Sequence, residues 1–248
     1  MKDISIVLPA HNEASRIENC VKEVERAVSS FSSSYELIVA EDGSRDGTDR
    51  VLANLAESNP NLRFLHSPVR LGKGKAIKNA LCSAKGDIIV FMDVDLATSL
   101  KHLPLIVQLA REHRGLAIGS RHVEGSRVRR PFTRTVSSLT YNLFVRTLFL
   151  DGIHDHQCGF KAMNNEVAKA VRECVKSDGW FFDTEMILIC KRMGFPVMEV
   201  GVDWSEPKKT SEFEINFLRD STRMGLDALK LKLKPNGLQD CWSASAPR

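Results

Sequence analysis

Several features that would settle a protein's class at once are missing from this sequence. Its six cysteines, Cys20, Cys82, Cys158, Cys174, Cys190 and Cys241, form no C-x-x-C pair and mostly sit inside apolar periodic runs. That pattern argues against a paired-cysteine framework and for reduced, buried thiols in a cytoplasmic chain. No apolar run reaches the roughly 18 residues needed to span a bilayer, and Met1-Lys2-Asp3 leads straight into a short strand pattern rather than a leader. Any membrane contact is therefore expected to be peripheral. The first strand is not followed by a Gly-rich basic loop, which weighs against a nucleotidyltransferase. Internal repeats, low-complexity stretches and linkers are also lacking, so residues 1–248 are expected to form one domain.

The charge that is present is modest in sum and uneven in place. The formal net charge is +4, but Arg121, Arg127, Arg129, Arg130 and Arg134 crowd one stretch and Arg219, Arg223, Lys230, Lys232 and Lys234 another. These are either solvated faces or contacts with phosphates or an anionic membrane surface. Nucleic acid is not an expected partner.

The informative stretch is Asp87-Ile88-Ile89-Val90-Phe91-Met92-Asp93-Val94-Asp95. An apolar run suited to a buried strand ends in two carboxylates two residues apart. In extended chain such residues point to one side, so Asp93 and Asp95 can aim at one point past the strand's carboxyl end. Open α/β sheets bind ligands there, and paired carboxylates suit a hard divalent cation shared with a diphosphate. Ile4 to Leu8, Glu36 to Ala40, Leu62 to Leu65 and Leu116 to Gly119 are further strands, with helical periodicity between them. Strands alternating with helices predict a mostly parallel sheet. The second strand also ends in acid, at Glu41 and Asp42. Arg70-Leu71-Gly72-Lys73-Gly74 opens a helix, either beside a diphosphate or as a plain capped start.

After Arg121 the pattern changes. Phe132 to Phe149 is a helix with a wide apolar face, Asp155 to Lys161 a polar turn, and Val167 to Val175 a helix. A further helix passes through Ile187, Leu188 and Met193, and Phe195 to Val200 is a late strand. Phe213, Phe217, Met224, Ala228 and Leu231 trace an apolar stripe that either packs on the body or lies among lipid headgroups. Three parts are expected: an acid-tipped first half (1–121), a second half (122–212) and a basic amphipathic helix with tail (213–248).

Taken together and in order, these segments resemble glycosyltransferase family 2. Pro9-Ala10-His11-Asn12-Glu13 is similar to that family's P-x-x-N-E, Glu41 to Thr48 to its D-D-G-S-x-D-x-T, and Asp93-Val94-Asp95 to its D-x-D. Arg70 to Gly74, Gly119-Ser120-Arg121, Asp155 to Lys161, Phe182 to Glu185 and Trp204-Ser205-Glu206 are similar to the polyprenyl-phosphate hexosyltransferases within it. The resemblance covers nearly the whole chain and implies a GT-A fold, a Rossmann-like, mostly parallel central sheet flanked by helices. It implies inverting transfer of a hexose to dolichyl or polyprenyl phosphate at the cytosolic face of a membrane. Glucose from UDP-glucose is the first reading, because Ala97 stands where mannose synthases commonly carry Gln. Mannose from GDP-mannose, or a hydroxyl acceptor, is the alternative.

The same resemblance implies roles. Pro9, His11, Glu13 and Asp42 would hold base and ribose, with Glu41, Lys73 and Val94 also on the nucleotide-sugar side. Asp93 would face the ribose or the metal, and Asp95 would hold Mg2+ or Mn2+. Arg121 and Arg134 would meet phosphate groups, and Lys208 or Lys209 would serve a loop at the acceptor. Asp155, Asp183 and Glu185 would orient those arginines or, for a hydroxyl acceptor, act as base. The catalytic set so implied is Asp95, Arg121, Arg134 and Asp155. A binding module that keeps the fold without the chemistry is the rival class, and the intact Asp42, Asp93 and Asp95 speak against it.

Overall fold

A computed structural model describes residues 2–206 and 217–234, with residues 217–221 as backbone only. Seven strands form one sheet in the order β3-β2-β1-β4-β7-β5-β8. They are β1 (Lys2–Ala10), β2 (Tyr35–Asp42), β3 (Leu62–Ser67), β4 (Gly86–Met92), β5 (Leu116–Ser120), β7 (Phe160–Asn164) and β8 (Val197–Gly201). All pairings are parallel except those of β7, which runs antiparallel between β4 and β5. Every residue of β2 is buried, as expected of a parallel strand covered on both faces.

The period of two along β1 divides the core. Ile4, Ile6 and Leu8 face one layer with Ile17, Cys20 and Val24 of α1 (Ile17–Ser29) and Leu103 and Ile106 of α4 (Leu103–Glu112). Val7 faces the other, with Ile77 of α3 (Lys73–Ser83), Val171 of α6 (Asn165–Cys174) and Met186 of α7 (Phe182–Arg192). Helix α2 (Thr48–Ser58) follows the turn after β2. A smaller third cluster joins α5 (Phe132–Phe149) to α8 (Phe217–Leu233) through Tyr141, Val145, Met224 and Ala228.

Three expectations are corrected here. The polar segment expected as a turn at Asp155 to Lys161 ends inside strand β7, hidden because Lys161 looks like a surface residue yet is fully buried. The basic loop contains a strand, β6 (Arg127–Arg129), paired with β9 (Asp203–Ser205). His156, expected as a turn residue, is fully buried, with Nδ1 at 2.9 Å from Asn142 Oδ1 and Nε2 at 2.8 Å from Asp151 Oδ2. Of the C-terminal stripe, Met224, Ala228 and Leu231 pack on the body, whereas Leu226, Leu229 and Leu233, which lie off the stripe, are exposed. Lys208, Lys209, Phe213 and Cys241 lie outside the described residues.

Candidate active site

The carboxyl ends of β1, β2 and β4 meet at one crevice. After β1 the chain turns through Asn12, whose φ of 56° is a left-handed value that asparagine tolerates. The turn after β2 is tied to it. Asn12 N–H donates to Ser44 Oγ at 2.9 Å, Arg45 N–H to Asn12 Oδ1 at 2.8 Å, and Glu13 N–H to Thr48 Oγ1 at 2.9 Å. His11 Nδ1 donates to the Asp42 carbonyl at 2.6 Å. Asp42 itself accepts the Leu71 and Gly72 N–H groups at 2.6 and 2.9 Å, fixing the loop that opens α3. Both oxygens of Glu41 are engaged, one by Ser44 N–H and one by His66 Nδ1, each at 2.5 Å. Glu41 and Asp42 therefore shape this end of the crevice by holding its turns. The Val94 side chain packs into the core.

Asp93 and Asp95 converge as expected, lining one cavity with Ala97, Gly159, Phe160 and Trp204. They are not equivalent. Asp93 Oδ1 lies 2.8 Å from Lys73 Nζ, and a Cβ at Gly159 would collide with the Asp93 carboxylate, so a side chain there would push it aside. Asp95 accepts one hydrogen bond, from Ala97 N–H at 3.0 Å. Burial, and after it the Asp93 charge, pushes the Asp95 carboxyl up to about 6. Burial, opposed by Arg16, together with the charges of Asp95, Asp46 and Asp93, pushes Glu13 up to about 7. This end of the crevice thus carries more negative charge than it neutralises. Among the described residues no three His, Cys, Asp or Glu side chains gather as a ready metal cage. Asp95, left without a cationic partner among the described residues, and Asp93 beside it, with the remaining ligands left to phosphate and water, fit Mg2+ or Mn2+.

Behind Asp93 runs a buried chain of alternating charge. Lys161 Nζ donates to Asp183 Oδ1 at 2.5 Å and to the Cys158 carbonyl at 2.6 Å. Asp183 Oδ2 lies 3.4 Å from Lys73 Nζ, which in turn reaches Asp93. Burial alone would raise Asp183, but Lys161 and Lys73 hold it below the usual carboxylate range. Burial would lower Lys73, but Asp183 and Asp93 hold it raised. Asp183 therefore orients two lysines and no arginine, contrary to expectation. Glu185 accepts Lys176 and Ser177 N–H groups at 3.1 and 2.7 Å and touches no arginine either.

The third candidate, Asp155, does orient an arginine. Arg121 Nε and Nη2 donate to its two oxygens at 2.7 and 2.9 Å, a bidentate pair. Burial would raise Asp155, yet Arg121 holds it well below the carboxylate range. Arg134 pairs with Glu206. A third guanidinium, missed as a site residue in the sequence, completes the group: Arg121 and Arg130 Cζ lie 5.6 and 5.8 Å from the Trp204 ring centroid. Burial, and then the Arg121 charge, lowers Arg130 to about 10. The sequence signal was the Arg-rich run itself, but nothing in it ranked Arg130 above Arg127 or Arg129, both of which are exposed.

Acid-tipped parallel strands facing a basic second half, with one antiparallel strand between them, define a glycosyltransferase of the GT-A class. The pattern of the family described as Glycosyl transferase family 2 is matched over residues 5–172, and the chain belongs to that family. It is 41% identical over 231 residues to Glycosyltransferase AglD of Haloferax volcanii, covering 92% of this chain but only 36% of that protein. It is 28% identical over 245 residues to the dolichyl-phosphate beta-glucosyltransferase of Dictyostelium discoideum, covering 93% of this chain and 74% of that one. Among solved structures it resembles glucosyl-3-phosphoglycerate synthase of Mycobacterium tuberculosis in complex with Mn2+, UDP and glucosyl-3-phosphoglycerate. The TM-score is 0.67 at 22% identity, over 93% of this chain and 80% of the other, and the likeness is one of fold.

Proposed function

We propose that the chain transfers a hexose, glucose from UDP-glucose, to the phosphate of dolichyl or another polyprenyl phosphate, with inversion at the anomeric carbon. The observation that carries this reading is the acceptor end of the crevice, where arginines cluster and the acids are already engaged. Asp155 is locked to Arg121, Asp183 to two lysines, Glu185 to backbone N–H groups and Glu206 to Arg134. None is placed as a free base for a hydroxyl. A phosphate monoester has a second pKa of about 6, so at neutral pH it attacks largely as the dianion and needs charge screening and aim instead. Arg121, with Asp155 fixing its plane, and Arg130 and Arg134 supply both. The relatives named for dolichyl-phosphate glucosyl transfer agree with the same substrate class.

On the donor side Asp95, with Asp93 beside it, would hold Mg2+ or Mn2+, which when bound neutralises charge on the departing nucleoside diphosphate. Lys73, pinned by Asp183, keeps one oxygen of Asp93 fixed. Pro9, His11 and Glu13, at the end of β1, would meet the base and ribose, and Lys208 or Lys209 the acceptor.

A peripheral seat on the cytosolic face of a membrane belongs to the same proposal. Among the described residues no helix is long and apolar enough to cross a membrane. Phe132, Val136, Leu139 and Leu143, spaced by four, three and four residues, leave one face of α5 apolar and exposed beside the arginine-rich segment. Such a helix suits an anionic headgroup layer.

The test is radiolabel transfer from UDP-glucose and from GDP-mannose to dolichyl phosphate and, in parallel, to dolichol. Glucose appearing on dolichyl phosphate alone is expected. Label on dolichol would replace the phosphate acceptor by a hydroxyl, and mannose transfer would replace the donor.

A further inference from the structure

We propose that Trp204 contacts the transferred hexose and determines which hexose is accepted. This rests on the donor and acceptor assignments above. In the displacement the bond from the anomeric carbon to the donor's phosphate oxygen breaks, and its electron pair leaves on the nucleoside diphosphate. A bond forms from that carbon to an oxygen of the acceptor phosphate, which is already ionised, so no proton moves. The hexose must therefore sit between the two phosphate sites when transfer occurs.

Trp204 is the side chain that borders both. It lines the cavity that contains Asp93 and Asp95, and Arg121 and Arg130 of the acceptor end lie 5.6 and 5.8 Å from its ring centroid. Its backbone is held from two sides. Trp204 pairs with Val128 in the small sheet and with Thr98 across an isolated bridge, and Ser205 N–H donates to the Ala97 carbonyl at 2.9 Å. Its backbone is thus fixed at the junction, and the side chain packs against the core, partly buried.

The chemistry suits the position. Diphosphate, cation and acceptor phosphate are common to every hexose donor, so the groups that bind them cannot tell one hexose from another. An indole offers a rigid apolar face for the C–H side of a sugar ring and one N–H donor for a hydroxyl. The neighbouring arginines hold it by cation–π attraction. Discrimination between epimers requires such a group at the ring, where a misplaced hydroxyl loses its partner or meets an apolar surface.

The full chain contains three tryptophans, Trp180, Trp204 and Trp242, so emission can report on Trp204 by difference. With Mg2+ present, UDP, UDP-glucose, GDP and GDP-mannose are titrated into the wild type, Trp204→Phe and Trp180→Phe, each checked for its melting transition by circular dichroism. The expected result is a larger emission change with the sugar nucleotide than with its nucleoside diphosphate. That extra change should vanish in Trp204→Phe and persist in Trp180→Phe. In Trp204→Leu, kcat/KM for the sugar donor should fall by roughly 10- to 200-fold and the preference for UDP-glucose over UDP-galactose should shrink, with UDP affinity unchanged. The inference is overturned if the sugar-dependent emission survives in Trp204→Phe, if Trp204→Leu weakens UDP as much as UDP-glucose, or if the epimer preference does not move. Wild type that binds none of the four nucleotides removes the donor assignment itself, and this inference with it. Wild type that binds them with no sugar-dependent emission overturns only the role of Trp204.

Discussion

The two ends of the crevice are charged in opposite senses, and both are left in want of a partner. At the proposed donor end Asp95 and Glu13 are pushed up to about 6 and about 7, the mark of carboxylates crowded together and partly desolvated. At the proposed acceptor end Arg130 is pushed down to about 10, the mark of a half-buried guanidinium among others. Yet inside each end one pair is fully compensated, Lys73 with Asp93 and Arg121 with Asp155. The lesson is a division of labour. Compensated pairs give rigidity, and the uncompensated group beside each gives affinity for a ligand of opposite charge.

The strongest way to break this comparison is to remove a compensating partner. Asp155→Asn leaves the Arg121 guanidinium buried beside Arg130, and breaking a buried pair costs about 3–5 kcal/mol. Urea unfolding of the variant should show that loss at neutral pH. The pH dependence has a definite sign. Asp155 is lower in the folded state than its unfolded value of about 3.9. Its contribution is therefore complete above that unfolded value and is lost as pH falls through the folded one. Wild type and Asp155→Asn should accordingly converge in stability only in strong acid.

Removing an uncompensated acid should do the reverse to stability and still abolish function. Asp95→Asn is expected to lower turnover by roughly a hundred- to a thousand-fold, the cost of losing a group aimed at developing charge. Because Asp95 is raised to about 6 in the folded state, ionising it opposes folding. That opposition begins above the unfolded value of about 3.9 and is complete above the folded one. In chelator at pH 8 the variant should therefore melt above the wild type, and at pH 4 the two should coincide. A lower melting point at pH 8 would mean that Asp95 is compensated after all.

Arg130→Ala sharpens the comparison from the other side. Losing one charge-assisted contact to the acceptor phosphate should lower kcat/KM for dolichyl phosphate by about 1.5–3 kcal/mol, or ten- to a hundred-fold. UDP affinity measured by calorimetry should not change. The smallest effect lies outside the crevice: Phe132→Ser should weaken binding to anionic vesicles by about 1 kcal/mol, roughly five-fold. Turnover on a short, water-soluble prenyl phosphate should be unaffected.

Much of the donor end was legible because its residues obey local rules. Continuous apolar runs ending in acid gave β2 and β4, and extended geometry put Asp93 and Asp95 together. The acceptor end was harder to read, since its key partners are distant in sequence. Asp183 meets Lys161 and Lys73 only because β7 enters the sheet between β4 and β5, and no local pattern marks an antiparallel strand that carries a buried lysine. Trp204 is one residue of a three-residue strand whose pairing with Arg127–Arg129 is invisible to periodicity. Of the three acids expected to orient Arg121 or Arg134, Asp155 alone does so, on Arg121. The resemblance assigned Asp42 to the ligand, although its carboxylate is engaged by the Leu71 and Gly72 backbone.

The antiparallel strand β7 also bears on how such enzymes can be recombined. It follows helix α5 in the chain, yet it lies directly against β4, and the residue just before it is Gly159, whose missing side chain leaves room for Asp93. A chimera joined just after Arg121 would therefore graft a foreign strand into the middle of the donor's sheet and a foreign residue against its first acid. Exchanging acceptor preference between relatives calls for crossovers that keep Cys158 to Asn164 with the parent of β4, so that the inherited piece follows the sheet rather than the order of the sequence.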